Sequence, residues 1–192
     1  KKENFLIILI DKNKNAVGKT LSNKFYNIII TKHEEIIKIC KKNKIFAATS
    51  ICSDLAVVPL SKISGYFKVP GIPLSSAIIC TNKIIMKRHF VKNKIPTTKF
   101  HLFKNLQLTK KMLLKMQYPI VVKPIDSYGQ KGVFQVNSYD QLKSKFLLSK
   151  EKSQKKKIII EEFIDGTEIN VVAIVKNYKV KPFWGSIIEL SV

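Results

Sequence analysis

Residues 121–133, VVKPIDSYGQKGV, join an apolar stretch that ends in a lysine to a loop that carries two glycines. The apolar β-branched residues before Lys123 predict a buried strand, and Val133 begins a second strand, so the loop forms the tip of a hairpin. Gly129 and Gly132 suit a plain hairpin turn, but they also allow the loop to turn its N–H groups towards phosphate oxygens. A lysine at the end of a rigid strand adds a fixed positive charge. The stretch therefore predicts a phosphate-binding hairpin.

A second informative stretch, residues 160–168 with the sequence IEEFIDGTE, places acidic residues at the end of an apolar run. Carboxylates in such a position can accept hydrogen bonds from the amino group of a base and from ribose hydroxyls. Successive side chains of a strand point to opposite faces, so Glu161 and Glu162 cannot both face one pocket. Together with Lys123 and the loop, this strand predicts a nucleotide clamp between two sheets.

The remaining pattern predicts an α/β protein with two units, residues 1–80 and 81–192. In the first unit, short apolar strands (5–10, 26–30, 45–49) alternate with helices (34–44, 54–67), which favours a parallel sheet covered by helices. In the second unit we expect helices at 81–93, 109–117 and 140–150. Strands are expected at 99–103, 120–124, 133–136, 158–162 and 168–175, and Asn177 and Tyr178 would form the turn of a last hairpin.

The net charge of +22 raises the question of a nucleic-acid partner. The positive residues are lysines spread along the whole chain, with Arg88 as the single arginine. Nucleic-acid surfaces draw on arginine because its planar fork binds phosphates and base edges. We therefore expect a lysine-rich solvated surface and no nucleic-acid partner.

The apolar and cysteine content bounds the environment of the protein. The longest apolar run, residues 5–10, is far too short to span a bilayer, so no membrane partner is expected. Cys40, Cys52 and Cys80 show neither metal-ligand nor redox spacing, and such sparse cysteines suit the reducing cytoplasm. The three histidines share no ligand spacing either. The sequence predicts no metal site within this chain.

A triplet near the start, Gly18-Lys19-Thr20, has the ending of a phosphate-binding P-loop. The full motif needs a glycine five positions before Gly18, where this chain has Asn13. We interpret the triplet as a chance match.

The order and spacing of these motifs resemble those of the ATP-grasp superfamily, which includes biotin carboxylase, carbamoyl-phosphate synthetase and carboxylate–amine ligases. The helix that ends before Lys94-Ile95-Pro96 resembles the family's helix before a G-I-P turn, with Lys94 in the place of glycine. In the family, a lysine of this helix contacts the phosphates of ATP, and either Lys83 or Lys87 could fill that position here.

The resemblance implies roles for further residues of the two stretches. Lys123 matches the second phosphate-binding lysine, and the segment from Ser127 to Gly132, which includes Gly129, matches the glycine-rich lid. Glu161 and the three residues after it match the adenine-binding segment, and Glu168 matches the ribose-binding acid. The nucleotide-binding residues implied are therefore Lys83, Lys87, Lys123, Ser127, Gly129, Gly132, Glu161, Glu162, Phe163, Ile164 and Glu168. No catalytic residue is identified.

The resemblance implies a partial Rossmann-like domain followed by an incomplete ATP-grasp domain. The family's first strand and glycine-rich turn have no counterpart here, and its magnesium ligands would lie beyond Val192, so the chain corresponds to a piece cut at both ends. In an intact relative, ATP with Mg²⁺ would convert a carboxylate to an acylphosphate, which an amine or a thiol then attacks.

By itself the piece is expected to be inactive. A homodimer is one assembly that the resemblance allows. The alternative functions are a basic nucleic-acid-binding module and a noncatalytic scaffold domain.

Overall fold

The computed structural model describes residues 5–51, 53–106, 115–176 and 179–188. Its helices are α1 (His33–Asn43), α2 (Asp54–Phe67), α3 (Leu74–Thr81), α4 (Lys83–Lys92) and α5 (Tyr139–Lys152). Its strands are β1 (Ile8–Ile10), β2 (Lys24–Tyr26), β3 (Phe100–Phe103), β4 (Ile120–Pro124), β5 (Phe134–Val136), β6 (Ile158–Glu162), β7 (Glu168–Lys176) and β8 (Lys179–Ile188). The class is mixed α/β, as the sequence predicts.

The first part of the chain contains a small parallel sheet of β1 and β2 against which α1 and α2 pack. The predictions of α1 and α2 are confirmed, but the predicted strands around them are partly wrong. The chain bends after β2, where Ile28 N–H donates to the Tyr26 carbonyl, so residues 27–30 do not extend the strand. Residues 45–49 form no strand either, because Ile45 and Ala48 are covered by packing against the α1–α2 core.

The helix predicted at 81–93 is confirmed as α4. A separate helix, α3, precedes it, and the sequence pattern did not reveal that helix. Asn82 has an extended backbone (φ −121°, ψ 108°), and its side-chain oxygen accepts hydrogen bonds from the N–H groups of Ile84 and Ile85, both at 3.2 Å. This is the geometry of an N-cap, in which the side chain satisfies N–H groups that a helix start leaves unpaired. Asn82 therefore ends α3 and begins α4.

The turn after α4 explains the position at which Lys94 stands in place of glycine. Lys94 has φ +55°, in the left-handed region that glycine adopts without steric cost. The Ile95 N–H donates to the Phe90 carbonyl at 2.9 Å and closes the helix end. The backbone of this turn is therefore the one that a glycine would favour, although a lysine occupies it.

The central sheet has the antiparallel order β3–β6–β4–β5 and carries helices on both faces. One face packs on α5 through a core of Phe103, Ile120, Val122, Val136, Leu142, Phe146, Ile158 and Ile160. The other face meets α4, where Ile84 packs with Ile125 and Ile159. The predicted strands of this sheet and the helix α5 are confirmed to within two residues at each end.

The last described element pair is an antiparallel hairpin of β7 and β8, with an irregularity in register between Val172 and Ala173. The strand predicted at 168–175 is confirmed. Asn177 and Tyr178, the predicted turn, lie outside the described residues, as does most of the helix predicted at 109–117. Within the described ranges, no helix is both long and apolar enough to cross a membrane.

Candidate functional site

Strand periodicity and helix periodicity bring four charged residues to one face of the central sheet. Val122 and Ile160 point into the α5 core, so their neighbours Lys123 and Glu161 point to the α4 face. The register pairs Lys123 with Ile159 and Val121 with Glu161, which makes Lys123 and Glu161 diagonal neighbours across β4 and β6. On α4, Lys83 and Lys87 are four residues apart, so they share one side of the helix.

The centre of the site is the carboxylate of Glu161. Lys87 Nζ lies 2.7 Å from its Oε2, and Lys123 Nζ lies 2.8 Å from its Oε1. The hydroxyl of Thr98 donates to Oε2 at 2.7 Å and accepts a hydrogen bond from Lys87. The contact of Lys123 with Oε1 is an ion pair. One carboxylate therefore holds two lysines from different elements.

This network is largely shielded from water. The side chains of Glu161 and Lys87 are 5% and 9% exposed, and that of Lys123 is 23% exposed. Burial by itself would raise the pKa of Glu161, but the contacts with Lys123, Lys87 and Thr98 outweigh it and hold the pKa below its ordinary value. Glu161 is therefore ionised at neutral pH.

The depressed pKa of Glu161 predicts an acid-dependent loss of stability. An unfolded glutamate titrates near about pH 4.3, so the stabilisation is complete above that value and disappears as the pH falls through the lower folded-state pKa. We expect the difference in unfolding free energy between wild type and Glu161→Gln to be constant from about pH 7 to 5 and to shrink below about pH 4.3. Urea denaturation across this range tests it, and a difference independent of pH would contradict it.

The fourth charged residue, Lys83, contacts the glycine-bearing loop, defined as Asp126–Gly132. Its Nζ donates to the Ser127 carbonyl at 2.6 Å, and its backbone N–H donates to the Ile125 carbonyl at 3.1 Å. Burial lowers the pKa of Lys83, and the nearby charge of Lys123 lowers it further. The ammonium group of Lys83 therefore lies within electrostatic range of that of Lys123.

The two glycines of the loop differ in their surroundings. Gly129 and Gly132 both have positive φ, +62° and +77°. A Cβ on Gly129 would meet nothing within 4 Å, whereas one on Gly132 would come within 3.0 Å of Lys152 Cβ and of Pro124 Cγ. Gly132 is therefore required both by backbone conformation and by close packing against α5.

This difference predicts unequal effects of alanine at the two positions. Gly129→Ala is expected to lower the unfolding free energy by about 1–2 kcal/mol, the cost of a side chain in the left-handed region. Gly132→Ala carries the same cost plus about 1–3 kcal/mol for the clash. Chemical denaturation of both variants measures the two losses. Equal losses would show that neither Lys152 nor Pro124 restricts the loop.

The other predicted nucleotide-binding residues come later in the chain than the lysine cluster, which is defined as Lys83, Lys87 and Lys123. Glu162 faces away from Glu161, and its Oε1 accepts the backbone N–H of Lys99 at 2.9 Å. Phe163 is half-buried and its N–H donates to the Pro119 carbonyl, whereas Ile164 is 65% exposed. Glu168 is exposed at the start of β7. The structure brings Lys83, Lys87, Lys123, Ser127 and Glu161 together, and it shows no direct contact between this group and Glu168 in the described ranges.

Two polar residues of the site carried no recognisable signal in the sequence. Thr98 lies in an irregular segment and reaches Glu161 across 63 positions of the chain. Asp126 accepts hydrogen bonds from Ser153 Oγ at 2.8 Å and from the Lys155 N–H at 2.9 Å. The sequence around Asp126 predicted the loop, but the residues that donate hydrogen bonds to Asp126 lie just after α5.

No acidic metal site adjoins the lysine cluster within the described residues. Among the described residues, no group of three or more His, Cys, Asp or Glu side chains is arranged to hold a metal ion. An open cavity of about 790 Å³ lies elsewhere, against α1, α2 and residues 68–74, and shares no residue with the lysine cluster. The candidate site is therefore the group of lysines around Glu161 on the α4 face of the sheet.

The antiparallel sheet, Lys123 near the end of β4, the glycine-bearing hairpin loop and the lysines of α4 match the features expected of the ATP-grasp class of proteins. The chain belongs to the family described as phosphoribosylglycinamide synthetase, ATP-grasp (A) domain, whose model matches residues 81–186, more than half of its length. The predicted resemblance and fold class are thereby confirmed.

Related sequences and solved structures agree with this family. The chain is 28% identical over 183 residues to a phosphoribosylamine–glycine ligase of Clostridium acetobutylicum, covering 88% of this chain and 42% of that protein. It is 36% identical over 111 residues to a D-alanine–D-alanine ligase of Pelagibacter ubique, covering 56% of this chain and 34% of that protein. The N5-carboxyaminoimidazole synthetase of Staphylococcus aureus, solved with ADP, has a TM-score of 0.79 at 15% identity, covering 96% of this chain and 48% of that one. The chain thus spans less than half the length of these relatives.

Proposed function

We propose that this chain forms the ATP-binding part of an ATP-dependent ligase that joins a carboxylate to an amine or a thiol through an acylphosphate. The observation that carries the proposal is the meeting of three lysines beside the glycine-bearing loop, with a single buried carboxylate, Glu161, among them. Asp126 at the edge of the loop is already engaged by Ser153 and Lys155. Glu161 is the buried carboxylate that pairs with two of these lysines, and Asp54 and Asp126 lie within electrostatic range of Lys83.

The proposed roles follow the positions of the residues. Lys123 and one lysine of α4, Lys83 or Lys87, bind phosphate oxygens, and Ser127, Gly129 and Gly132 shape the loop that covers them. In the segment of Glu161, Glu162, Phe163 and Ile164, one acidic side chain and the backbone after it bind the base, and Glu168 accepts the ribose hydroxyls. The contacts among Lys83, Lys87, Lys123 and Glu161 support the phosphate-binding roles, and the similarity of the chain to ligases supports the others.

In phosphoryl transfer the protein acts mainly by positioning and by stabilising the charge that develops on the transferred group. Lysines fixed on a strand and a helix suit this task because their charges need not reorganise during the reaction. Mg²⁺, which this class of reaction implies, would supply further charge neutralisation. The described residues contain no group of three or more His, Cys, Asp or Glu side chains that could hold it.

We also propose a division of the chain into two units and a location in the cell. We propose a Rossmann-like unit over residues 1–80 and an ATP-grasp unit over residues 81–192, acting in the cytoplasm on a small carboxylate and an amine. The lysines are spread over the surface and arginine is nearly absent, which supports a protein without a nucleic-acid partner. A homodimer is the proposed assembly.

Thermal unfolding with and without ATP tests the nucleotide site. A ligand that binds the folded state alone stabilises it by about 2.7 kcal/mol at a concentration 100 times its dissociation constant, so the melting temperature is expected to rise with ATP concentration. Adenosine and tripolyphosphate, measured separately, report base and phosphate recognition. A folded chain whose melting temperature does not change at millimolar ATP would overturn the proposal. A shift produced by RNA alone would favour the nucleic-acid alternative.

A further inference from the structure

The open cavity beside α1 and α2 is separate from the lysine cluster and has no part in the nucleotide site. Its volume of about 790 Å³ lies within the range of small-molecule sites in proteins. We propose that this cavity binds a small organic acid, with the acid group beside Ser61 and Lys62 and an apolar body against the aliphatic residues of the lining. The site is additional to the proposed nucleotide site and does not depend on it.

Helix periodicity forms two sides of the cavity. On α1, His33 and Ile37 are four residues apart and therefore share one side of the helix. On α2, Ser61 and Ser64 are three residues apart and likewise share one side. The two helices also pack on each other through Ile36, Cys40 and Ile63. That core holds the two lined sides in place whether or not a ligand is bound.

The chain that follows α2, residues 68–74, forms the third side and supplies most of the apolar lining. A Cβ added to Gly71 would lie 2.4 Å from Ser64 Oγ, so only a glycine lets this chain pass so close to α2. The aliphatic and proline residues of the lining are Ile37, Val69, Ile72, Pro73 and Leu74. The cavity can therefore cover an apolar body of several carbon atoms.

The hydroxyl of Ser61 is the observation that points to a polar group in the ligand. Ser61 is 3% exposed, and its Oγ is buried without a hydrogen-bond partner among the described residues. Leaving a buried hydroxyl unpaired costs free energy, and most such groups in proteins do have a partner. Because Ser61 lines the cavity, an acid group bound there would supply the missing acceptor.

The charge of Lys62 favours an anion over a neutral ligand. Its Nζ lies 3.1 Å from His33 Nε2, and His33 Nδ1 lies 3.2 Å from the Thr31 carbonyl. Because a carbonyl can only accept, Nδ1 carries the ring hydrogen and Nε2 accepts from Lys62. The ammonium is thus positioned by a neutral partner, and within the described ranges it forms no ion pair with a carboxylate. Its charge remains available to an acid group in the cavity.

The beginning of α1 adds to this attraction. Lys32, the residue before the helix, provides no side-chain cap for the N–H groups of the first turn. The positive end of the helix dipole at this point favours a negative group. Two lysines of the lining, Lys62 and Lys68, outnumber its one acidic residue, the exposed Glu34. The lining is therefore net positive.

Three probe molecules separate the two parts of the proposed ligand. In nuclear magnetic resonance spectra of the ¹⁵N-labelled chain, hexanoate is expected to cause saturable shifts of the amide signals of residues 33–37 and 61–74. Hexanamide lacks the charge and acetate lacks the apolar body, so each is expected to bind at least about 10-fold more weakly. Equal binding of hexanoate and hexanamide, or no saturable shift in these two segments, would overturn the proposal.

Variants at charged residues test whether the acid group lies beside Lys62. Lys62→Met is expected to weaken hexanoate binding by about 10- to 100-fold, the loss typical of a hydrogen bond from a charged group. Lys143→Met, at an exposed lysine of α5, is the matched control and should leave binding unchanged. Glu34→Gln is expected to strengthen it. Equal losses in the two lysine variants would overturn the proposal, because the net charge of the chain would then attract the anion.

Ser61→Ala distinguishes a ligand-binding hydroxyl from a structural one. Removing an unpaired buried hydroxyl should not lower the melting temperature, whereas hexanoate binding is expected to weaken by about 2- to 10-fold, the loss of a neutral hydrogen bond. A lower melting temperature together with unchanged hexanoate affinity would show that the hydroxyl serves the fold, and would overturn its assignment to the ligand.

Discussion

Replacing Lys123 with methionine is expected to weaken ATP binding by about 10- to 100-fold, the loss typical of a charge-assisted hydrogen bond. Methionine keeps most of the apolar stem of lysine, so the main change is the removal of the ammonium group. Lys123 is the second-last residue of β4, and its side chain is 23% exposed, so water screens its charge less than that of a surface lysine. Isothermal titration calorimetry with ATP measures the change in dissociation constant.

The matched control for Lys123→Met is Lys143→Met, which removes the same charge from an exposed position on α5. If general attraction by the net charge of +22 governs binding, both variants will lose affinity equally. The affinity for ATP will then fall steeply as the salt concentration rises. A loss confined to Lys123→Met would support a local phosphate contact. Equal affinity of Lys123→Met and wild type would contradict the proposed role of Lys123.

The second large effect is expected at Glu161, where a neutral side chain should destabilise the fold. Glu161→Gln leaves the ammonium groups of Lys87 and Lys123 without their shared counter-charge in a largely buried site. Removing one partner of a buried ion pair costs about 3–5 kcal/mol. We expect a loss of this size in the free energy of unfolding at pH 7, measured by urea denaturation.

Glu151→Gln provides the comparison, because Glu151 is exposed on the last turn of α5. An exposed substitution of this kind is expected to change stability by no more than about 0.5 kcal/mol. If Glu161→Gln is as mild as Glu151→Gln, the network does not stabilise the fold, and Glu161 serves the ligand alone. A large loss would show that the same carboxylate orients both lysines before any nucleotide arrives.

Several elements were predictable because their signals are local. The apolar run before Lys123, the glycines of the loop and the apolar run before Glu161 each mark a strand or a turn within a few residues. The spacing of apolar residues likewise predicted α1 and α2, and a capping residue, Ser138, predicted α5. Strand boundaries in the first part of the chain were less accurate. Packing on α1 and α2 buries Ile28, Ile30, Ile45 and Ala48 without placing them in a sheet, so an apolar run there does not require a strand.

The sequence by itself determined the class of fold and the set of residues from which a phosphate site could be built, because periodicity and turn chemistry act over short distances. The tertiary structure decided which members of that set meet. It turned Glu161 towards the lysines and Glu162 away, added Thr98, and gave Lys83 and Lys87 different partners. Those choices depend on the β4–β6 register and on where α4 begins. The β4–β6 register joins residues far apart in the chain, so no local pattern encodes it. The Asn82 cap sets the start of α4 locally, but the partners of Lys83 and Lys87 come from distant segments.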